Sequence, residues 1–195
     1  MIIIGITPEK ILPDEPRLWA EALENGVDLL HLRKPDAPVE EIRRLLEETD
    51  TKYYGRIVLH SRFDLAVQFG LKGIHLNRRE NLPPENFTGS ISRSCHSLDE
   101  LRDGKSRYAY QFLSPIFDSI SKTGYASSFP DPVLKAAAIA GDIDRKCIAL
   151  GGITPERIPY LESIGFGGAA LLGYLWSDPT PEGVRNRASS IQREK

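Results

Sequence analysis

Short apolar runs recur along this chain at fairly even spacing, and between them the apolar positions fall at helical intervals. The runs are Ile2–Ile6, Val27–Leu32, Arg56–His60, Gly73–Leu76, Ser90–Ser94, Tyr108–Leu113, Lys146–Leu150 and Gly168–Leu172. Each has the length of a β-strand. The stretches near Pro16–Glu24, Val39–Glu48, Arg62–Gln68, Leu98–Arg102, Pro130–Ala140, Pro155–Ser163 and Pro181–Gln192 carry the helix period. The weak connection follows the fourth run, where Asn81–Thr88 is Pro-rich and predicts only a turn. Eight βα units with little remainder predict an α/β fold, a minimal single-domain (βα)8 barrel over residues 1–195, at the short end of the ~200 residues where such barrels begin. The competing open doubly wound sheet lacks its nucleotide fingerprint, since Gly5 is followed by Ile-Thr-Pro-Glu.

Two near-identical heptapeptides, Gly5-Ile-Thr-Pro-Glu-Lys-Ile11 and Gly152-Ile-Thr-Pro-Glu-Arg-Ile158, mark βα junctions at either end of the chain. Each reads as a strand end, a Thr N-cap, Pro at the first helical position and Glu set against the helix dipole.

Composition narrows the class. With 41% hydrophobic residues the chain can bury a sizeable core, and 25 basic against 27 acidic residues give a net charge of −2. That balance argues against nucleic acid or an anionic membrane as partner. No stretch nears the ~18 apolar residues of a membrane helix, and the start lacks the basic flank of a signal peptide. Cys95 and Cys147 are too few for a disulfide scaffold or a tetrahedral metal site. The expectation is a reduced, cytoplasmic protein.

In barrels of this kind, reactive groups gather at the C-terminal ends of the strands. All four histidines, His31, His60, His75 and His96, fall at such ends, with Arg33, Lys34, Ser94 and Ser114. Period-two alternation puts His31 and Arg33 on one face, so both are expected at the mouth. Zinc is not expected, because no His-x-His or His-x-x-x-His pair exists. Cys95 follows Ser94 and should face away from the mouth. The segment from Ser114 to Tyr125 after the sixth strand, with Ser119, Ser121 and Lys122, offers hydroxyls and an ammonium suited to phosphate oxygens, and its length suits a lid. Gly151-Gly152 after the seventh strand and Gly173 after the eighth suit a phosphate held by backbone N–H groups.

Taken in order, these pieces resemble the thiamine phosphate synthase/TenI family over nearly the whole chain. The residues that carry the resemblance are Gly26-Val-Asp-Leu-Leu-His31-Leu-Arg33, Leu59-His60-Ser61-Arg62-Phe-Asp64-Leu-Ala66, Gly73-Ile-His75-Leu76, Ser92-Arg-Ser94-Cys-His96-Ser97, Pro115-Ile-Phe117 through Ser119, Ser121 and Lys122, and Ala149-Leu-Gly151-Gly152-Ile153. The resemblance implies a (βα)8 barrel that handles thiamine precursors. It also implies a thiazole phosphate against Gly151, Gly152, Leu172 and Gly173, and a pyrophosphate facing Ser94, Ser119, Ser121 and Lys122. Synthase members join a pyrimidine pyrophosphate to the thiazole phosphate with Mg²⁺; TenI-type members aromatise the thiazole phosphate by tautomerisation and need no cofactor.

Several positions depart from the synthase pattern. Its Gln-x-Arg-x-Lys reads His31-Leu-Arg33-Lys34-Pro35, and its Asn-Asp pair reads His60-Ser61, which leaves Glu80 as the remaining acidic metal position. The TenI branch's proton-transferring His corresponds to Pro115. Three readings stay open: a metal-independent tautomerase using His31 or His75 with Lys122, a Mg²⁺-dependent synthase with Glu80 on the metal, or a non-catalytic phosphate binder. His31 is the first expectation for the proton-transferring group. A homodimer is compatible with each.

Overall fold

A computed structural model describes residues 1–118 and 129–193. Eight parallel strands close into a barrel in chain order, β1 (Ile2–Ile6), β2 (Leu29–Leu32), β3 (Ile57–Leu59), β4 (Gly73–Leu76), β5 (Ser90–Cys95), β6 (Tyr110–Leu113), β7 (Cys147–Leu150) and β8 (Gly168–Leu171). Closure is made by β1 against β8, with Ile2 opposite Gly168 and Ile4 opposite Ala170. The helices α1 (Glu15–Glu24), α2 (Val39–Glu47), α3 (Phe63–Gln68), α4 (Leu98–Gly104), α5 (Asp131–Ile139), α6 (Ile158–Ile164) and α7 (Pro181–Arg193) accompany the strands. Residues 77–89 join β4 to β5 with no helix, as the proline-rich text predicts. No described helix is long and apolar enough to cross a membrane.

Alternation along each strand makes two apolar layers. One face of the strands, with Ile3, Leu30, Leu59, Ile74, Leu113 and Ala149, meets helix residues spaced at i, i+3 and i+4, such as Ile42, Leu45 and Leu46 of α2. The opposite face gives a smaller cluster of Ile4, Ile6, Tyr110, Phe112, Ile148 and Ala170 inside the barrel. Cys95 is buried on the outer face and accepts a hydrogen bond from Gln111 Nε2 at 3.0 Å, away from the mouth as expected.

The first heptapeptide corrects its own reading. Thr7 is no helix cap. It is fully buried, and its Oγ1 accepts from the Arg33 backbone N–H at 2.9 Å. α1 starts only at Glu15, behind Asp14 in the left-handed region at φ 52°. The cause is Lys34. Its buried ammonium pairs with Glu15 at 2.7 Å and donates to the carbonyls of Pro8 at 2.7 Å and Lys10 at 2.8 Å, so residues 8–14 wrap around it instead of winding into a helix. Burial pulls the Lys34 pKa down while the Glu15 carboxylate opposes that pull. The second heptapeptide does open a helical segment, a 3₁₀ turn at Pro155–Arg157 leading into α6, although Thr154 makes no side-chain cap.

Candidate active site

The inward faces of β2 to β5 differ from the rest of the barrel interior: they carry His31, His60, His75, Ser92 and Ser94. The strand register stacks these groups together. His31 sits opposite Val58 on β3, two residues before His60, and His75 sits opposite Ser92 on β5. The His31 ring nitrogens lie 2.8 Å from His60 Nε2 and 2.6 Å from the Tyr110 hydroxyl. His75 Nδ1 is 2.9 Å from Ser92 Oγ, and its Nε2 is 3.0 Å from Ser94 Oγ. The His60 and His75 rings stack with centroids 4.3 Å apart and planes 18° apart.

All three imidazoles are held neutral. Burial is the main cause for each, and it lowers His75 to about 3 with help from the Arg33 charge. His31 is pushed well below the usual range by burial and then by His75. His60 is pushed well below it by burial, by its two histidine neighbours and by Arg33. Among the described residues no buried side-chain nitrogen or oxygen lacks a partner.

Above this cluster opens a cavity of about 1040 Å³ at the C-terminal rim. Its floor includes His60, His75, Ser94 and Phe112, and its far wall, from the strands across the barrel, includes Gly151, Gly152, Leu172 and Gly173. Gly151 and Gly152 adopt φ of 102° and 62°, and a Cβ on Gly152 would stand 2.3 Å from the Asp118 carbonyl. Only glycine fits there, so backbone rather than side chain faces the ligand space. The Gly152 and Gly173 N–H groups find no acceptor among the described residues. Arg157 Nη1 donates to the Gly152 carbonyl at 2.6 Å and pins that turn.

A second pocket of about 650 Å³ adjoins the first and shares Arg33, His60 and Asn77 with it. It contains Glu80, but its donor set is a poor cage for Mg²⁺. Glu80 accepts from the Arg62 backbone N–H at 3.1 Å, Glu9 is paired with Arg33 at 2.6 Å, and Asp36 with Arg79 at 3.3 Å. Mg²⁺ needs carboxylates free to face it in octahedral geometry; Glu9 and Asp36 already face arginines, and Glu80 already accepts from a backbone N–H. The three inner histidines bring ring nitrogens within 4.8 Å of one another, the one such cluster of potential metal ligands among the described residues. Here too the geometry is unsuited. The near-parallel planes of His60 and His75 send their in-plane lone pairs side by side, whereas a tetrahedral ion requires them to converge.

The structure thus brings together Arg33, His60, His75, Ser94, Gly151, Gly152, Leu172 and Gly173 around one cavity, with Glu80 next door. His31 departs from the expectation for the mouth. It is fully buried, does not line the cavity, and touches it only through His60 and His75, because it lies within β2 rather than at its tip. Ser119, Ser121 and Lys122, and the lid expected around them, lie outside the described residues. Tyr110 and Ser92 were not singled out from the sequence. The signal for Tyr110 was a phenol in an otherwise apolar buried strand, because a buried tyrosine hydroxyl needs a polar partner.

Comparison with known proteins bears on the family and the fold. A family model described as thiamine monophosphate synthase matches residues 3–175. The chain is 29% identical over 180 residues to a putative thiamine-phosphate synthase of Geobacter sulfurreducens, covering 87% of this chain and 82% of that one. It is 28% identical to the thiamine-phosphate synthase of Photorhabdus laumondii, covering 78% and 74%. A thiamine phosphate pyrophosphorylase from Bacteroides thetaiotaomicron superposes with a TM-score of 0.91 at 36% identity, covering 100% of this chain and 97% of that structure. With a family model spanning most of its length and a closely superposing relative at 36% identity, the chain belongs to the thiamine phosphate synthase/TenI family of thiamine-biosynthesis enzymes.

Proposed function

We propose that this protein is a cytoplasmic, metal-independent isomerase that aromatises a thiazole phosphate, with the phosphate on the Gly151–Gly152 and Leu172–Gly173 turns and the ring over His60 and His75. The observation that carries this reading is the pair of stacked, neutral imidazoles on the cavity floor, facing an amide-lined wall across the barrel. A tautomerisation removes a proton from one ring atom and returns one to another. It needs a group that accepts and a group that donates at the ring, and a neutral imidazole carries one acceptor nitrogen and one donor N–H. Glycine turns whose N–H groups have no acceptor among the described residues hold a phosphate without a competing side chain. Arg33 and Arg93, both on the cavity lining, add positive charge at the rim.

The test is ultraviolet detection of aromatisation when the non-aromatic thiazole phosphate is mixed with the protein. Turnover should survive chelation of divalent ions and be abolished in His75→Ala. Its absence with the parent protein at saturating substrate would remove the reading.

A second reading, Mg²⁺-dependent joining of a pyrimidine pyrophosphate to thiazole phosphate, is favoured by the names of relatives at 28–36% identity. Calorimetry separates the two. The isomerase takes up thiazole phosphate alone, indifferent to Mg²⁺, whereas the synthase takes up the pyrimidine pyrophosphate only with Mg²⁺.

A further inference from the structure

Two separate hydrogen-bonded chains run under the cavity floor, and each is anchored at its buried end by a group that fixes the direction of its protons. The first starts at Tyr110. Its hydroxyl is buried, and its one hydrogen bond among the described residues is to His31 Nε2 at 2.6 Å. His31 Nδ1 in turn meets His60 Nε2 at 2.8 Å. His60 Nδ1 has no partner among the described residues, yet no buried side-chain nitrogen there lacks one, so this atom is open to the cavity that the ring lines. The second chain starts at the Ile74 carbonyl, 3.3 Å from Ser92 Oγ. Ser92 Oγ meets His75 Nδ1 at 2.9 Å, and His75 Nε2 meets Ser94 Oγ at 3.0 Å, with Ser94 on the cavity lining.

Counting protons sets both directions. Burial holds the three imidazoles neutral, so each has one N–H and one bare nitrogen. If His31 donated to Tyr110, the phenol's own proton would be stranded in the core, and a buried donor left unmade costs its full desolvation. Tyr110 therefore donates to His31 Nε2, His31 donates from Nδ1 to His60 Nε2, and His60 keeps its proton on Nδ1. In the second chain the Ile74 carbonyl can only accept. All three contacts are hydrogen bonds only when Ser92 donates to that carbonyl and receives the His75 Nδ1 proton; the reverse order forfeits one of them. His75 Nε2 is then bare and takes the Ser94 proton.

We propose that Tyr110 and the Ile74 carbonyl polarise the floor in opposite senses, so that the cavity meets one fixed donor, His60 Nδ1–H, and one fixed acceptor, Ser94 Oγ. Tyr110 is a positioning residue, acting on the ligand through His31 and His60. The His60 and His75 rings stack with centroids 4.3 Å apart, so one small ring can cover both chain ends. The floor thereby selects a heterocycle that turns an in-plane lone pair towards His60. The identity of that heterocycle rests on the isomerase reading, under which the ring nitrogen of thiazole phosphate lies at His60.

Imidazole ¹⁵N shifts of the histidine-labelled full chain tell an N–H from a bare nitrogen, and they need no ligand. His31, His60 and His75 should all carry the proton on Nδ1, because the hydrogen bond at one ring nitrogen sets the state of the other. Ser92→Ala removes the acceptor for His75 Nδ1 and should turn His75 alone to Nε2–H. Tyr110→Phe removes the donor to His31 and should bring Nε2–H tautomers into His31 and His60 while His75 stays as it was. His60 found mainly as Nε2–H in the parent protein, or either chain indifferent to its own substitution, would overturn the proposal.

Calorimetry supplies the second arm. The parent should bind thiazole phosphate about 10-fold more tightly than its thiophene analogue, which has C–H in place of the ring nitrogen; this is the upper range for one net hydrogen bond. Ser92→Ala should keep that preference and Tyr110→Phe should weaken it, whereas a merely structural role for Tyr110 would weaken both ligands alike. Equal binding of the two by the parent would overturn the donor at His60. The expected tautomers with neither phosphate bound would end the isomerase reading and leave the polarised floor standing.

Discussion

The barrel interior has two halves built by the same alternation and filled in opposite ways. From β6 round through β7 and β8 to β1, the inward positions hold Phe112, Ile148, Ala170, Ile4 and Ile6, each almost wholly excluded from water. From β2 to β5 they hold His31, His60, His75, Ser92 and Ser94, of which His31, His75 and Ser92 are just as deeply buried. The first half stabilises the fold by removing apolar area from water, about 1.5–3 kcal/mol for each large side chain. The second can gain only the net ~0.5–1.5 kcal/mol of each hydrogen bond, after every polar group has been desolvated. Four adjacent strands therefore give up packing energy to keep a connected, neutral polar cluster under the cavity. Tyr110 joins the halves, with its ring in the apolar cluster and its hydroxyl on His31.

Breaking each half in turn should separate chemistry from stability. The largest effect is expected from His75→Ala. It removes a floor imidazole and should lower the proposed turnover by about 10²–10⁴-fold while thiazole phosphate still binds on the glycine wall; steady-state kinetics beside calorimetry would read both. In the apolar half, Ile148→Ala, at a fully buried position outside the cavity lining, should cost about 2–5 kcal/mol of stability, read from the shift of a urea unfolding midpoint at constant slope. Gly152→Ala is expected to act on neither half but on the wall facing them. Its φ of 62° and the Asp118 carbonyl 2.3 Å from the new Cβ would distort the turn. Backbone strain of this kind costs about 1–3 kcal/mol, and it should appear mainly as weaker thiazole phosphate binding.

The two halves also differ in how much of them could be read in advance. Strand positions and barrel closure were legible because apolar runs and period-two alternation are local properties: all eight runs became strands, trimmed by a residue or two at some ends and, in β5, extended by one to Cys95. The glycine wall was legible for a similar reason, since Gly151-Gly152 directly follows an apolar run. The polar half was legible only as a list of histidines. Their mutual contacts depend on strand register, which sets His31 beside Val58 and His75 beside Ser92, and no local pattern encodes it. This is why His31 reads as a mouth residue in sequence and proves to be wholly buried beneath His60 and His75. The wrapping of residues 8–14 around Lys34 was hidden for the same reason, because Glu15 and Lys34 meet only once β1, α1 and β2 are in place.

Acid should reveal the polar half as the weaker one, through a smaller effect per residue than any above. His75 titrates at about 3 in the native state, against ~6.5 for an unfolded histidine. Below pH ~6.5 the unfolded chain therefore binds a proton that the native chain refuses. The stability contributed by the neutral native ring is complete above that pH and is lost as pH falls from ~6.5 towards about 3. Between pH 7 and 5.5 the loss is about 1 kcal/mol for this one side chain. His31 and His60, also pushed well below the usual range by burial, act in the same direction. Urea midpoints measured across that interval should decline for the parent protein, and less steeply for His75→Gln, which cannot titrate. Ile148→Val should start lower and decline in parallel with the parent, because its neighbours in the apolar cluster do not change protonation in that interval. Equal slopes in the parent and His75→Gln would mean that His75 is not the buried neutral base its surroundings require.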